Sequence, residues 1–171
     1  MKYSIAIVVI IVSTALLSAC THKLTMQLTS SVFQNNDYLP EKYTCNGQNI
    51  SPPLLINNIP PNTKSLALII DDPDAPSGTW THWLVWNIQS NTKEIPENSV
   101  PAGAPEGITS WGKPGYNGPC PPSGVHRYFF KLFALDTLLN LPSSSTVTQL
   151  LTAMQNHIIA KAEIIARYSK K

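Results

Sequence analysis

Fifteen prolines punctuate this chain of 171 residues, and most of them separate apolar runs in its middle. Proline fixes φ and donates no backbone hydrogen bond, so it interrupts helices and the interior of sheets. Prolines concentrated in one polar tract would indicate disorder, whereas prolines between apolar runs are typical of turns and ordered loops. The distribution therefore favours a β-rich fold with long ordered loops.

Length and charge restrict the function classes. About 150 residues remain after the N-terminal leader, which suits one compact domain with a substantial core. We find no internal repeat and no second-domain boundary, so residues 20–171 are expected to form a single domain. The formal net charge is +2, and the longest basic run is the Lys170-Lys171 tail. Nucleic-acid binding and polybasic membrane binding therefore have little support.

The first twenty residues predict a bacterial lipoprotein signal. Lys2 precedes an apolar run over residues 5–17, and the small residues of Leu17-Ser18-Ala19-Cys20 follow. This arrangement fits a signal peptide of residues 1–19 and resembles a lipobox, at which Cys20 would be lipidated. Thr21-His22 carries no aspartate-type retention signal, which favours the outer membrane, facing the periplasm. The alternatives are an ordinary secretory signal and a retained membrane anchor, for which the run is short.

Two cysteines, Cys45 and Cys120, remain once Cys20 is assigned to lipidation. An even pair in an oxidising compartment favours a disulfide. The bridge would close a loop of about 75 residues and stabilise the fold by roughly 4 kcal/mol in the chain-entropy model. Two separate buried thiols are the alternative.

Most of the chain has strand character, and only its end has helical character. Residues 24–34 alternate apolar and polar side chains, and residues 126–135 are aromatic and aliphatic with a hydrophilic residue at intervals. Residues 65–70 and 80–88 are apolar runs, and residues 42–44 are expected to be extended. The irregular connection 89–125 is long enough to suggest a functional role. Near the C terminus, Ser144 or Ser145 could cap a helix, and Thr146 with Gln149 fits a capping box. A stripe at helical spacing then predicts a helix packed on a sheet: Val147, Leu151, Met154, Ile158, Ala162 and Ile165.

The residues that could carry chemistry follow predicted strands or lie in proline-framed turns: Asp72, Asp74, His82, His126 and Tyr128. Imidazole and carboxylate together suit a metal site, but the short spacing common among metal ligands is missing. Acid–base catalysis would need a nucleophile, for which only Ser51 or Ser123 could be suggested. Imidazole, phenol and loop amides could instead donate hydrogen bonds to a phosphate-like anion.

Several polar and aromatic residues in and near these motifs also have a purely structural interpretation. Asp72 and Asp74 lie beside prolines, where aspartates commonly form Asx-turns. Arg127 projects to the opposite face of its strand from His126 and Tyr128, so a salt bridge on that face is expected. The four tryptophans are expected in the core or in a pocket wall, and His157 is expected at the surface.

Three spaced motifs resemble those of the phosphatidylethanolamine-binding protein family. They are Asp72-Pro73-Asp74-Ala75-Pro76, Thr81-His82-Trp83, and the stretch from Gly118-Pro119 to His126-Arg127-Tyr128. Tyr43-Thr44-Cys45-Asn46-Gly47, Ser51-Pro52-Pro53-Leu54 and residues 112–122 resemble its bacterial Raf-kinase-inhibitor-like branch. The resemblance covers essentially all of the chain after the leader.

The resemblance implies a mainly β fold, a two-sheet β-sandwich-like architecture with a C-terminal helix packed on it. It also implies a small anion-binding pocket lined by Asp72, Ala75, Pro76, His82, Gly118, Pro119, His126 and Tyr128. We therefore expect a non-enzymatic binding protein for a small anionic or phosphorylated ligand, with no cofactor or metal. If a histidine must be charged, binding should strengthen below about pH 6.5. The alternatives are inhibition of an envelope protease and, less favoured, a hydrolase.

Overall fold

Two β-sheets and one α-helix make up residues 25–170, the part of the chain that the computed structural model describes. The elements, in chain order, are β1 (Gln27–Thr29), β2 (Asp37–Tyr38), β3 (Leu54–Asn57), β4 (Ser65–Asp72), β5 (Trp80–Gln89), β6 (Glu94–Ile95), β7 (Val125–Leu135), α1 (Val147–Met154) and β8 (Ile158–Ser169). The larger sheet has the order β2-β8-β7-β4-β5 and the smaller sheet the order β1-β3-β6. All neighbouring strands are antiparallel except the short parallel pair β2 and β8. The predicted mainly β, two-sheet fold is confirmed.

Strand β4 is central in the larger sheet, as its continuous apolar run predicts, and all eight of its residues are buried. Alternation of side chains sends Leu66, Leu68 and Ile70 into the core between the two sheets. Ala67 and Ile69 face the other way, into a second core beneath α1. A strand covered on both faces has no polar face to present, which explains why its sequence lacks polar alternation.

The C-terminal helix is shorter than predicted. The capping box forms, with the Gln149 side chain accepting the Thr146 amide at 2.9 Å, so the cap is Thr146 and neither preceding serine. The helix ends at Met154, and Asn156 adopts a left-handed backbone conformation with φ of 66°. The prediction that the helix continues through Ile158 and Ala162 to Ile165 was wrong, because those residues belong to β8.

Strand β8 carries an alternation that competes with the helical stripe. Its even-numbered positions are all apolar, and three of them, Ile164, Ala166 and Tyr168, are buried against the sheet core. This segment pairs with β7 along its whole length. The tertiary packing that results outweighs the local preference of the segment for a helix.

Two other predicted extended segments differ in extent. Only Gln27–Thr29 of the predicted strand 24–34 is paired, and the segment near residues 42–44 forms a 3-10 turn at Glu41–Tyr43 instead. The long connection 89–125 is mostly irregular and covers the free edge of β5. Amides and carbonyls of Pro105, Gly107 and Ser110 pair there with β5, which protects an edge that could otherwise associate.

The predicted disulfide is present, joining Cys45 to Cys120 with a Cα–Cα distance of 5.4 Å. It fastens the loop before β7 to the segment after the 3-10 turn, and the Cys45 amide donates to the Pro119 carbonyl at 3.1 Å beside it. The predicted signal peptide of residues 1–19 and the lipidation site Cys20 lie outside the described residues. Within residues 25–170, no helix is long and apolar enough to cross a membrane.

Replacing both bridged cysteines by alanine should lower the free energy of unfolding by about 4 kcal/mol, because the bridge closes a long loop. Urea denaturation monitored by circular dichroism measures this difference. Wild-type protein in excess dithiothreitol should unfold at the same urea concentration as the double variant. Equal midpoints for oxidised wild type and the double variant would show that the bridge contributes little.

Candidate functional site

A cavity of about 300 Å³ opens at one end of the larger sheet, where β4 ends and its two neighbours begin. Because β4 runs antiparallel to both β5 and β7, its last residue meets the first residues of the other two strands. Five of the predicted site residues line the cavity: Asp72, Ala75, Pro76, His82 and His126. Trp80 and Trp111, which the sequence placed in the core or in a pocket wall, also line the cavity. Sequence reasoning did not assign the other wall residues to the site: Ser77, Cys120, Pro121 and Pro122.

The Asp72 carboxylate accepts hydrogen bonds from two protein donors at the floor of the cavity. One oxygen accepts the Asp74 amide at 2.8 Å, which forms the expected Asx-turn. The other oxygen lies 2.7 Å from Nδ1 of His126, and both side chains are buried. This carboxylate places the Nδ1 proton of His126 on the side away from the cavity, which leaves Nε2 of that ring without a protein partner.

His82 is held in one tautomer by a backbone carbonyl. Its Nδ1 lies 2.6 Å from the Asn117 carbonyl oxygen, and a carbonyl can only accept, so Nδ1 carries the proton. Burial lowers the pKa of His82 to about 4, against smaller opposing contributions from the Asn117 carbonyl and the Asp72 charge. The ring is therefore neutral at pH 7, and Nε2 is an acceptor. The expectation of a charged histidine near pH 6.5 does not hold for His82.

Tyr128 lies behind His82, its ring centroid 5.2 Å from the imidazole in an edge-to-face arrangement. The side chain is fully buried, and its hydroxyl has no hydrogen-bond partner among the described residues. Burial, followed by the nearby Asp72 carboxylate, raises the pKa of Tyr128 well above its usual range. The phenol therefore keeps its proton, and its hydroxyl lies close to the Asp72 carboxylate and the Cys120 amide. Tyr128 itself is not among the residues that line the cavity.

The proline-rich loop forms the opposite wall, and backbone groups of Asn117, Gly118 and Pro119 bond to other parts of the protein. The Gly118 amide donates to the Asn49 side chain at 2.7 Å, and a β-carbon at this position would overlap the Tyr43 carbonyl oxygen. Gly118 and Pro119 are therefore buried against the 3-10 turn segment and do not line the cavity.

Cys120 supplies the remaining amide of this wall. Residues 119, 121 and 122 are prolines and have no N–H group, so Cys120 carries the single amide of the segment 119–122. That amide makes no hydrogen bond of normal geometry within residues 25–170 and lies near the Tyr128 hydroxyl. The prolines in the sequence single out this amide within residues 119–122, whereas the engagement of the Gly118 amide is visible only in the structure.

Two tryptophans enclose the side of the cavity. Trp80 and Trp111 meet edge to face with ring centroids 5.3 Å apart, and Trp111 also packs edge-on against His82 at 4.9 Å. These contacts form an apolar wall and limit the access of water to the imidazole. Trp111 is partly exposed, so it lies at the rim.

Other candidate residues do not reach the cavity. Asp74 forms a two-pronged ion pair with Arg127, at 2.7 and 2.9 Å, and this interaction lowers the pKa of Asp74 to about 2. The predicted salt bridge of Arg127 is confirmed. Ser51 belongs to a separate cavity, and Ser123 is exposed without lining this one. Tyr168 is buried, and its hydroxyl accepts from the Asn46 side chain at 2.9 Å.

Two further findings bear on alternative sites. No group of three or more His, Cys, Asp or Glu side chains in residues 25–170 is arranged to hold a metal ion. A cavity of about 360 Å³ lies on the other face of the sheet, beside α1 and β8. Its walls are mostly apolar, and its carboxylate Asp71 is already paired with Lys131 at 2.7 Å. The cavity at Asp72 is the one that combines fixed imidazoles with unused donors.

Comparisons with known proteins agree with this architecture. The structure is similar to a putative phosphatidylethanolamine-binding protein homologue from Chlamydia trachomatis, with a TM-score of 0.83 and 42% identity over 86% of this chain and 99% of that one. It is also similar to YbcL of Escherichia coli, described as a new member of the mammalian PEBP family, with a TM-score of 0.81 and 33% identity over 86% of this chain and 100% of that one.

Sequence relatives point the same way. A UPF0098 protein of Methanothermobacter thermautotrophicus is 46% identical over 85% of this chain and 99% of its own length. A UPF0098 protein of Pyrococcus horikoshii is 48% identical over 83% of this chain and 76% of its own length. The model of the phosphatidylethanolamine-binding protein family matches residues 29–169, and the chain therefore belongs to that family.

Proposed function

We propose that this chain is a non-catalytic binding protein whose cavity holds a small anionic, phosphate-like group. The observation that carries the proposal is the unpaired Tyr128 hydroxyl beside the unpaired Cys120 amide. A fully buried hydroxyl without an acceptor is costly, and an anionic oxygen would satisfy both this hydroxyl and the amide of Cys120, which is an exposed residue. The apolar Trp80 and Trp111 wall would strengthen these hydrogen bonds by lowering the local dielectric.

Binding accounts for the cavity better than hydrolysis does. A histidine oriented by Asp72 could act as a base, but neither serine suggested as a nucleophile lines the cavity. The name of the matched family also describes a binding protein. An envelope protease as a partner stays a prediction from sequence and is not part of this proposal.

Removing the Tyr128 hydroxyl should weaken binding of phosphate or phosphoethanolamine by roughly tenfold to hundredfold, the usual worth of a hydrogen bond to a charged group. Tyr128→Phe should leave the unfolding midpoint nearly unchanged, because the hydroxyl has no protein partner. Adding His126→Ala should abolish saturable binding. Isothermal titration calorimetry of the full-length protein in detergent measures each affinity.

Tyr38→Phe is the matched control, since Tyr38 is exposed and lies outside the cavity. Its affinity for both ligands should equal that of the wild type. Equal affinities for wild type and Tyr128→Phe, or no saturable binding by a folded wild-type protein, would contradict the proposal.

We also propose that the binding domain is anchored in the bacterial envelope through a lipidated Cys20, as the lipobox-like residues 17–20 predict. Expressed in a bacterium, the wild type should incorporate labelled palmitate and fractionate with the outer membrane. Cys20→Ala should lose the label, whereas the Cys45→Ala, Cys120→Ala control should keep it. Recovery of unlabelled wild-type protein in the soluble periplasmic fraction would rule out the anchor.

A further inference from the structure

The two imidazoles of the cavity have their protons fixed on the side that faces the protein. Nδ1 of His82 donates to the Asn117 carbonyl at 2.6 Å, and Nδ1 of His126 donates to Asp72 at 2.7 Å. Neither Nε2 atom makes a hydrogen bond within the described residues, and both rings line the cavity. In the neutral ring of His82, Nε2 carries a lone pair and accepts a hydrogen bond.

Burial keeps His82 neutral and therefore an acceptor, although several of the groups around it raise its pKa. Asp72 at the end of β4 contributes a negative charge, and His126 and Tyr128 approach from β7. The loop contributes the carbonyls of Asn117 and Gly118. Arg127 forms an ion pair with Asp74, so its guanidinium does not compensate the charge of Asp72. The cavity thus combines a fixed acceptor and a fixed negative charge with the Cys120 amide on its wall, and the Tyr128 hydroxyl lies buried behind that wall.

A fully ionised phosphate monoester matches this arrangement poorly. It has acceptor oxygens only, so it would satisfy the phenol and the amide but would oppose the lone pair of His82 Nε2. A monoanion that keeps one hydroxyl matches at every point, because the hydroxyl donates to His82 Nε2 while the other oxygens accept from Tyr128 and Cys120. We infer that the cavity selects oxyanions that retain one acidic proton, and specifically the monoanionic form of a phosphate monoester. This inference rests on the proposed function and specifies its ligand.

The relative ease of protonation indicates that the ligand, and not His82, carries the proton. A phosphate monoester has a second pKa of about 6, so at pH 7 most of it is doubly ionised. Binding only its protonated form therefore lowers the apparent affinity about tenfold at that pH. Burial holds the pKa of His82 at about 4, so charging this ring at pH 7 would reduce affinity by about a thousandfold. The ligand proton is the less costly of the two by about a hundredfold.

The experiment is a calorimetric titration of the full-length protein in detergent with methyl phosphate between pH 5 and pH 8. Affinity should be constant below the second ionisation of the ligand and fall about tenfold per pH unit above it. Methylphosphonate ionises at higher pH, so the break in its profile should move upward with it. Methyl sulfate has the same shape and charge as the methyl phosphate monoanion but no proton, and should bind at least about tenfold more weakly at pH 5.

Each result separates this inference from the proposed function. A break at one fixed pH for both phosphorus ligands would assign the titration to a protein group such as His126 and overturn the inference. Equal binding of methyl sulfate and methyl phosphate, or affinity independent of pH, would also overturn it while leaving the anion pocket in place. Absence of saturable binding for all three probes at every pH would overturn the proposed function itself.

A substitution tests the acceptor directly. A glutamine side chain can donate as well as accept, so His82→Gln should bind methyl sulfate and methyl phosphate with affinities within about threefold of each other. His157→Gln is the control, because His157 pairs with Asp136 outside the cavity; it should keep the wild-type preference. Circular dichroism checks that both variants are folded, and the ligand comparison in the wild type decides the question if His82→Gln is not.

The phosphate monoester could belong to a soluble metabolite or to a lipid headgroup. Titration with phosphatidic acid vesicles beside methyl phosphate distinguishes these sources, and the same fall in affinity with pH is expected for whichever one binds. Phosphatidylethanolamine is a phosphodiester and has no acidic phosphate proton. Tight binding to vesicles of this lipid at an affinity independent of pH would contradict the inference.

Discussion

The hydrogen bond between Asp72 and His126 joins the ends of two adjacent strands at the floor of the cavity. Both groups are buried, so the bond is protected from competing water, and breaking it would leave a buried carboxylate without its partner. The same carboxylate accepts the Asp74 amide and shapes the turn that brings Ala75 and Pro76 to the cavity. One side chain thereby sets the imidazole orientation, the wall of the cavity and its local charge.

The opposite wall depends on a set of contacts that use up the loop backbone. The disulfide, the Gly118 amide and the Pro119 carbonyl all attach the loop to the segment after the 3-10 turn. The Asn117 carbonyl is used by His82. These contacts make the wall rigid before any ligand arrives, which reduces the entropy lost on binding. The Gly118 amide is used in this way and the prolines at 119, 121 and 122 have no amide, so Cys120 supplies the single amide of the segment 119–122.

Much of this arrangement could be predicted from sequence, because its elements have short-range signals. The buried run of β4, the alternation of β7 and the Thr146–Gln149 capping box were each visible in a few neighbouring residues. The C-terminal strand was missed because residues 158–165 satisfy a helical and an alternating pattern at the same time, and pairing with β7 decides between them. The roles of Gly118 and His82 could not be predicted from sequence, because they too depend on tertiary contacts. The sequence does not reveal that Asn49 occupies the Gly118 amide or that burial keeps His82 neutral.

The central claim is that Tyr128 and Cys120 donate to a phosphate group that in turn donates to His82. A crystal structure of the protein grown with methyl phosphate near pH 5.5 tests it most directly. The account predicts one phosphate oxygen within about 3 Å of both the Tyr128 hydroxyl oxygen and the Cys120 amide nitrogen, and another within about 3 Å of His82 Nε2. A phosphate bound elsewhere, or bound here with all of its oxygens directed away from these three atoms, would contradict the account.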